Sequence, residues 1–164
     1  MDSFFVWLEA TDLSVWVRES VSVFAFPMIL SCHTIGMGFV AGMNAALALR
    51  ILGVASAVPL LELRRFFPVM WAGFWLNAAS GVILLIGYPT KALTNPVFYL
   101  KLTFIAVALL LVRAIQRSIF GADLDFLPVP RKGRLLAAAS LVCWAGAITA
   151  GRLLAYTYSR LTAT

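Results

Sequence analysis

Charge is scarce in this chain of 164 residues: 12% of them are Asp, Glu, Lys or Arg, and there is a single histidine, His33. Acidic side chains are the scarcer sign, with seven Asp plus Glu against thirteen Lys plus Arg. No nucleophile–base pair, phosphate-cradling glycine loop or carboxylate dyad stands in the sequence, so hydrolase and phosphotransferase chemistry find no footing. The two cysteines, Cys32 and Cys143, both lie in apolar runs, which excludes a disulfide framework as the organising principle. Internal repeats and low-complexity tracts are missing too. The start, Met1-Asp2-Ser3, has no basic region and no small-residue cleavage site, so no removable signal peptide is expected.

What the chain has in abundance is apolar surface. Hydrophobic residues make up 62% of it, more than the interior of a soluble domain of this size can hide. The length suits one compact domain. Four apolar stretches, over about residues 21–52, 67–86, 96–120 and 135–158, each exceed the roughly 20 helical residues needed to cross a bilayer. The expected fold is all-α: an integral membrane four-helix bundle with an N-terminal interfacial amphipathic helix. Pro27 falls in the first turns of the first span, where its missing N–H does least harm. Gly87-Tyr88-Pro89 stops the second span, and Asn95-Pro96 opens the third as an N-cap followed by a first-turn proline. Residues 1–19 mix Phe4, Phe5, Trp7, Val15 and Trp16 with Asp2, Glu9, Asp12, Arg18 and Glu19, the composition of a segment lying at headgroup depth. Residues 121–133, with Asp123 and Asp125, are expected to form a solvated loop.

A net charge of +6 invites a nucleic-acid reading, but the basic residues flank apolar segments as membrane anchors do. Arg50, Arg64, Arg65, Arg113, Arg117, Arg131, Lys132 and Arg134 lie around the loops after the first and third spans, and Arg18, Lys91 and Arg160 lie on the other side. Eight against three predicts both termini on the non-cytoplasmic side.

An ionisable group within a span costs about 2.5–3.5 kcal/mol on insertion scales, and four residues call for scrutiny on that ground or for their polarity: His33, Asn77, Lys101 and Arg152. His33 is followed by Gly36, Gly38 and Gly42, with Met37 and Asn44 near its helical face. An imidazole beside absent side chains suits the axial nitrogen and close approach of a haem; it equally suits a histidine hydrogen-bonded to a neighbouring helix at a glycine-lined crossing. Asn77, with Gly73, Ser80 and Gly81, reads first as close helix packing with an interhelical hydrogen bond. Lys101 and Arg152 are expected at a depth similar to His33, beside the propionates of a haem b, or else snorkelling to the headgroups. Met28, Cys32, His33 and Met37 offer soft ligands for copper, but they diverge around the helix.

Taken together, Leu8-Glu9-Ala10, Val15-Trp16-Val17-Arg18-Glu19-Ser20, Phe26-Pro27, Cys32-His33-Thr34-Ile35-Gly36, Leu49-Arg50-Ile51-Leu52-Gly53 and Asn95-Pro96-Val97-Phe98-Tyr99-Leu100-Lys101-Leu102 resemble a family of small bacterial four-helix membrane proteins without assigned function. More distantly, the His-x-x-Gly segment and the aromatic-x-x-Lys-Leu segment resemble the HemJ-type protoporphyrinogen oxidases and the CopD-type copper-resistance membrane proteins. The resemblance implies a bacterial inner-membrane location, His33 as axial ligand to haem b and Lys101 as a haem or substrate partner. Val107–Leu111 and Arg113 stand where the oxidase family has an aromatic–histidine pattern. With one histidine, a single chain cannot build a bis-histidine haem. The expected function is electron transfer with a quinone or a partner subunit. The alternatives are a porphyrinogen or quinol oxidase, an accessory subunit whose polar residues only lock helices, and a copper-handling protein. The glycine-rich faces of the first two spans permit a homodimer.

Overall fold

The computed structural model describes residues 2–54, 56–120 and 129–161, and all the regular structure among them is helical. Two short helices, α1 (Asp2–Glu9) and α2 (Asp12–Glu19), precede the long α3 (Phe26–Leu52). A 3-10 helix (Leu60–Phe66) leads into α4 (Phe67–Gly87), followed by the short α5 (Pro89–Leu93), then α6 (Pro96–Ile119) and α7 (Arg131–Leu161). Four helices are long and apolar enough to cross a membrane: Phe26–Leu52, Leu60–Gly87, Pro96–Ile119 and Arg131–Leu154. Large apolar side chains such as Trp75, Leu110 and Val142 point outward, each more than 60% exposed. Such a surface suits hydrocarbon and not water.

The helices form two tight pairs, α3 with α4 and α6 with α7, joined where α3 packs on α7. The core along that seam comprises Val40, Leu47, Ala48 and Ile51 of α3, Ala108, Val112 and Ile115 of α6, and Ala137, Trp144 and Ala147 of α7. By contrast α4 and α6 scarcely touch. Their contacts lie at one end, where Phe67 meets Phe120 edge-on at 5.2 Å and the Arg113 guanidinium sits 5.3 Å from the Trp71 ring centre. Gly133 abuts Ile119 at the same end. Arg50, Arg64, Arg65, Arg113, Arg117, Arg131, Lys132 and Arg134 are therefore gathered at one end of the molecule. At the other end Phe26 packs edge-on against Tyr88.

Several boundaries differ from the sequence expectation. The first long helix starts at Phe26, not near Val21. The reason is local: the Ser20 and Ser22 hydroxyls accept from the N–H groups of Ser22 and Phe24 and hold this stretch in turns. The last helix starts at Arg131, earlier than the expected 135, and α4 gains the 3-10 lead-in. Asn95 caps α6 as its position suggested, its Oδ1 accepting from Val97 N–H at 2.9 Å. The loop carrying Asp123 and Asp125 falls outside the described residues.

The N-terminal segment is two helices broken at Thr11, which caps α2 by accepting from Ser14 N–H. Helix α2 packs on the end of α4, burying Ser14 and Val17 completely. A Cβ on Gly87 would lie 2.8 Å from Val17 Cγ1, so only glycine permits this approach. Arg18 fastens the arrangement: Nη2 donates to Glu9 O at 2.8 Å, and Nη1 donates to Ser14 Oγ at 2.9 Å and Gly87 O at 3.2 Å. A cation thus serves carbonyls at the C-terminal ends of both α1 and α4, where the helix dipole favours positive charge. Phe4, Val6, Trp7, Leu13 and Trp16 remain exposed on the outside of this cap.

Candidate functional site

Backbone proximity builds the site first. Helices α3 and α4 cross where Gly36 faces Gly73: a Cβ on Gly36 would stand 2.7 Å from Gly73 O and from Asn77 N, and one on Gly73 would stand 2.6 Å from Phe39 Cβ. Neither position admits a side chain without separating the helices. Gly38 and Gly42 face elsewhere, with nothing within 4 Å of their built Cβ positions. Of the glycines following His33, Gly36 is therefore taken up by the α4 contact.

One turn before Gly36, His33 reaches across to α4. Its Nδ1 lies 3.0 Å from the Asn77 carbonyl and 3.2 Å from Ser80 Oγ. The carbonyl can only accept, and Ser80 Oγ lies 2.7 Å from the Leu76 carbonyl, to which it donates. Nδ1 must therefore carry the proton. The tautomer follows: the proton-free lone pair is on Nε2, which has no hydrogen-bond partner among the described residues. Asn77 answers in kind, its Nδ2 donating to the His33 carbonyl at 2.6 Å. The ring lies against Gly81, where a Cβ would meet Cε1 at 3.1 Å and Nδ1 at 3.4 Å. The stripe of Asn77, Ser80 and Gly81 is thus the seat of the imidazole, and the interhelical hydrogen bond expected of Asn77 is made to His33 itself.

Lys101 is half-buried on α6, its aliphatic stem lying against Gly151 of α7, with Cε 3.6 Å and Nζ 3.8 Å from the position of a Cβ there. His33 is seven residues from the start of α3, Lys101 five from the start of α6 and Gly81 six from the end of α4, or about 10, 8 and 9 Å of helix rise. These groups share one level, on the side opposite the arginine-rich end, where α4 and α6 do not close over the α3–α7 seam.

The structure does not gather every residue singled out from the sequence. Arg152 is exposed on α7, turned by about 100° of helix from Gly151, which meets Lys101. Met37 is half-buried one turn below His33 on the same helix, so both would meet a flat ligand from the same side. Met28 is exposed, and Cys32 is half-buried with a free thiol. Among the described residues no three His, Cys, Asp or Glu side chains converge. Sequence reasoning missed two things. The first is the use of Gly81 and Gly151 as floors for His33 and Lys101, which only the crossing geometry reveals. The second is the buried pair Asn44 and Ser140, joined at 3.2 Å between α3 and α7.

The donor set can be weighed against a haem on this geometry. A metal-binding histidine characteristically donates its second ring nitrogen to a carbonyl or carboxylate, which fixes the ring and raises the basicity of the other nitrogen. His33 has that arrangement through the Asn77 carbonyl, and no acidic residue occurs within α3, α4, α6 or α7 to neutralise Lys101. The residues present therefore fit a ligand that brings both a metal and negative charge. Comparison of the chain with family models, curated proteins and solved structures finds no match in any of the three.

Proposed function

We propose that the chain is a membrane-embedded b-type haem protein acting in electron transfer, with a quinone or a partner subunit as its exchange partner. In this reading the four long helices cross the bacterial inner membrane, and the arginine-rich end faces the cytoplasm. The observation that carries the proposal is the His33 imidazole, held by Asn77 O through Nδ1, with Nε2 left without a partner among the described residues and Lys101 at the same helical level. His33 would hold the iron and Lys101 would take a propionate, while Asn77 and Ser80 set the ring's tautomer and plane. A bound haem would supply one-electron chemistry. The chain's own contribution is to orient the nitrogen, to place one cation at its level and to surround both with apolar helices that exclude water.

The test is spectroscopic. The purified chain is expected to show a Soret band and a positive pyridine hemochrome, both lost in His33→Ala. A colourless, hemochrome-negative protein that melts normally would remove the proposal. It would favour a second reading, which the reciprocal hydrogen bonds over the Gly36–Gly73 crossing also support: an accessory membrane subunit in which His33 and Asn77 only lock α3 to α4. Turnover of a porphyrinogen by the coloured protein would replace electron transfer with the oxidase alternative.

A further inference from the structure

The seam between α3 and α7 holds a polar cluster that the site around His33 does not use. Asn44 of α3 and Ser140 and Trp144 of α7 are 0%, 0% and 5% exposed. Ser140 and Trp144 stand one turn apart on α7, on the face that also buries Ala137 and Ala147. By helix rise Asn44 lies about 12 Å from the end of α3 and Ser140 about 14 Å from the start of α7, so the two meet at one level. His33 is roughly 16 Å away along α3, towards the opposite end.

Hydrogen bonding fixes the direction of each group. Ser140 donates its hydroxyl proton to the Ala137 carbonyl at 2.8 Å. Its oxygen is then left to accept, which it does from Asn44 Nδ2 at 3.2 Å. That bond turns the amide so that Asn44 Oδ1 faces away from Ser140. Asn44 Oδ1 is buried with no hydrogen-bond partner among the described residues, and so is Trp144 Nε1. The first group only accepts and the second only donates. Leaving such atoms unpaired between apolar helices is costly enough to be rare in native proteins. Long side chains on a helix lean towards its N-terminus, which carries the Trp144 indole back over Ser140 to the level of the amide. The core residues one turn away are small: Ala48 on α3, Ala137 and Ala147 on α7.

We propose that Asn44 Oδ1 and Trp144 Nε1 form a binding site for one water molecule, which accepts from the indole and donates to the amide. A ligand for this pair must do both at once. A cation has no lone pair to offer the indole, and a simple anion has no proton to offer Oδ1. Water has both and is small enough to be shared by two side chains at a helix crossing. The bridge lies where the α3–α4 pair joins the α6–α7 pair, and it gives that largely apolar seam a directional contact. It does not depend on a haem. The experiment is nuclear magnetic resonance of the full chain in detergent micelles, isotope-labelled at the indole nitrogens. Trp7→Phe, Trp16→Phe, Trp71→Phe and Trp75→Phe together leave Trp144 as the single indole, and none of the four is buried. Should that chain fail to fold, the parent serves, because Trp144 is its one buried indole and its N–H is the slowest to exchange into heavy water. A nuclear Overhauser cross-peak is expected from the Trp144 indole proton to the water frequency, with the sign of a water that outlasts molecular tumbling. The cross-peak is expected to be lost in Asn44→Leu and kept in Ser140→Ala. Its absence from the parent would overturn the proposal, since the indole would then be dry. Persistence in Asn44→Leu would overturn it as well, and so would loss in Ser140→Ala, which would trace the signal to the serine hydroxyl.

Discussion

At the scale of single residues, the position of one proton decides what His33 can do. With Nδ1–H committed to the Asn77 carbonyl at 3.0 Å, the lone pair is on Nε2 whether or not a ligand is bound. The arrangement is doubly secured, because Asn77 Nδ2 also holds the His33 carbonyl. Asn77→Leu removes only the second bond and leaves the carbonyl in place. Its expected cost is about 0.6 kcal/mol, the usual size of an interhelical hydrogen bond in membranes, read as a lower unfolding temperature in detergent. Ser80→Ala is expected to cost less, because Nδ1 keeps its carbonyl acceptor. Met37 allows a sharper check of the proposed ligation. It sits one turn from His33 on the same helix, so the two side chains would approach a bound group from one helix face, and His33 rather than Met37 would hold it. Met37→Leu is therefore expected to leave the Soret position and the low-temperature spin signals of the haem unchanged. A change of spin state in that variant would show that the ligand set has been misassigned.

At the scale of elements, small residues govern which helices meet. Gly36 and Gly73 bring α3 and α4 into backbone contact, and Gly87 does the same for α4 and α2. Gly73→Leu is expected to cost several-fold in folded yield and to lower the unfolding temperature sharply. Gly38→Leu, whose Cβ meets nothing within 4 Å, is expected to leave both unchanged. Arg18 acts on the same scale. Arg18→Ala would free carbonyls at the ends of α1 and α4 and leave Ser14 Oγ with only its 3.5 Å contact to Gly87 O. Limited proteolysis is expected to cut residues 9–25 faster in that variant, with the four long helices intact; unchanged cleavage would mean that burial of Val17 alone holds the cap. How far the sequence announces these elements depends on their range. Pro27, Asn95-Pro96 and the apolar runs act within a turn or two, and the helices they predict are there. The role of Arg18 depends on a partner far along the chain, Gly87, and periodicity carries no trace of it; the break at Thr11 and the turns at Ser20 and Ser22 are local, but they rest on side-chain-to-backbone bonds that an apolar pattern does not register. The same holds at the site. His33 and Lys101 stand out as costly intramembrane residues, but their floors on Gly81 and Gly151 exist only once the helices cross.

At the scale of the whole molecule, charge and apolar length combine into an orientation that an experiment can read directly. Packing places the start of α4 beside the end of α6, so Arg50, Arg64, Arg65, Arg113, Arg117, Arg131, Lys132 and Arg134 share one end. Arg18 and Lys91 lie at the other, and Arg18 spends its charge on helix carbonyls within the protein. At the arginine-rich end Arg50 is likewise tied to the Val58 carbonyl and Arg65 to Glu62, so the asymmetry available to set topology rests on the other basic residues gathered there. Single cysteines in a chain carrying Cys32→Ala and Cys143→Ala test the result. Ser3→Cys, exposed on α1, is expected to react with a membrane-impermeant maleimide in intact cells. Ser56→Cys, exposed in the turn before the 3-10 helix, is expected to react only after the cells are opened. The reverse pattern would place the arginine-rich end outside and put His33 and Lys101 near the cytoplasmic surface, where their exchange partner would have to be sought. Labelling of both sites in intact cells would mean that the loop after α3 does not lie across the bilayer from α1, and the four-span arrangement would fall with it.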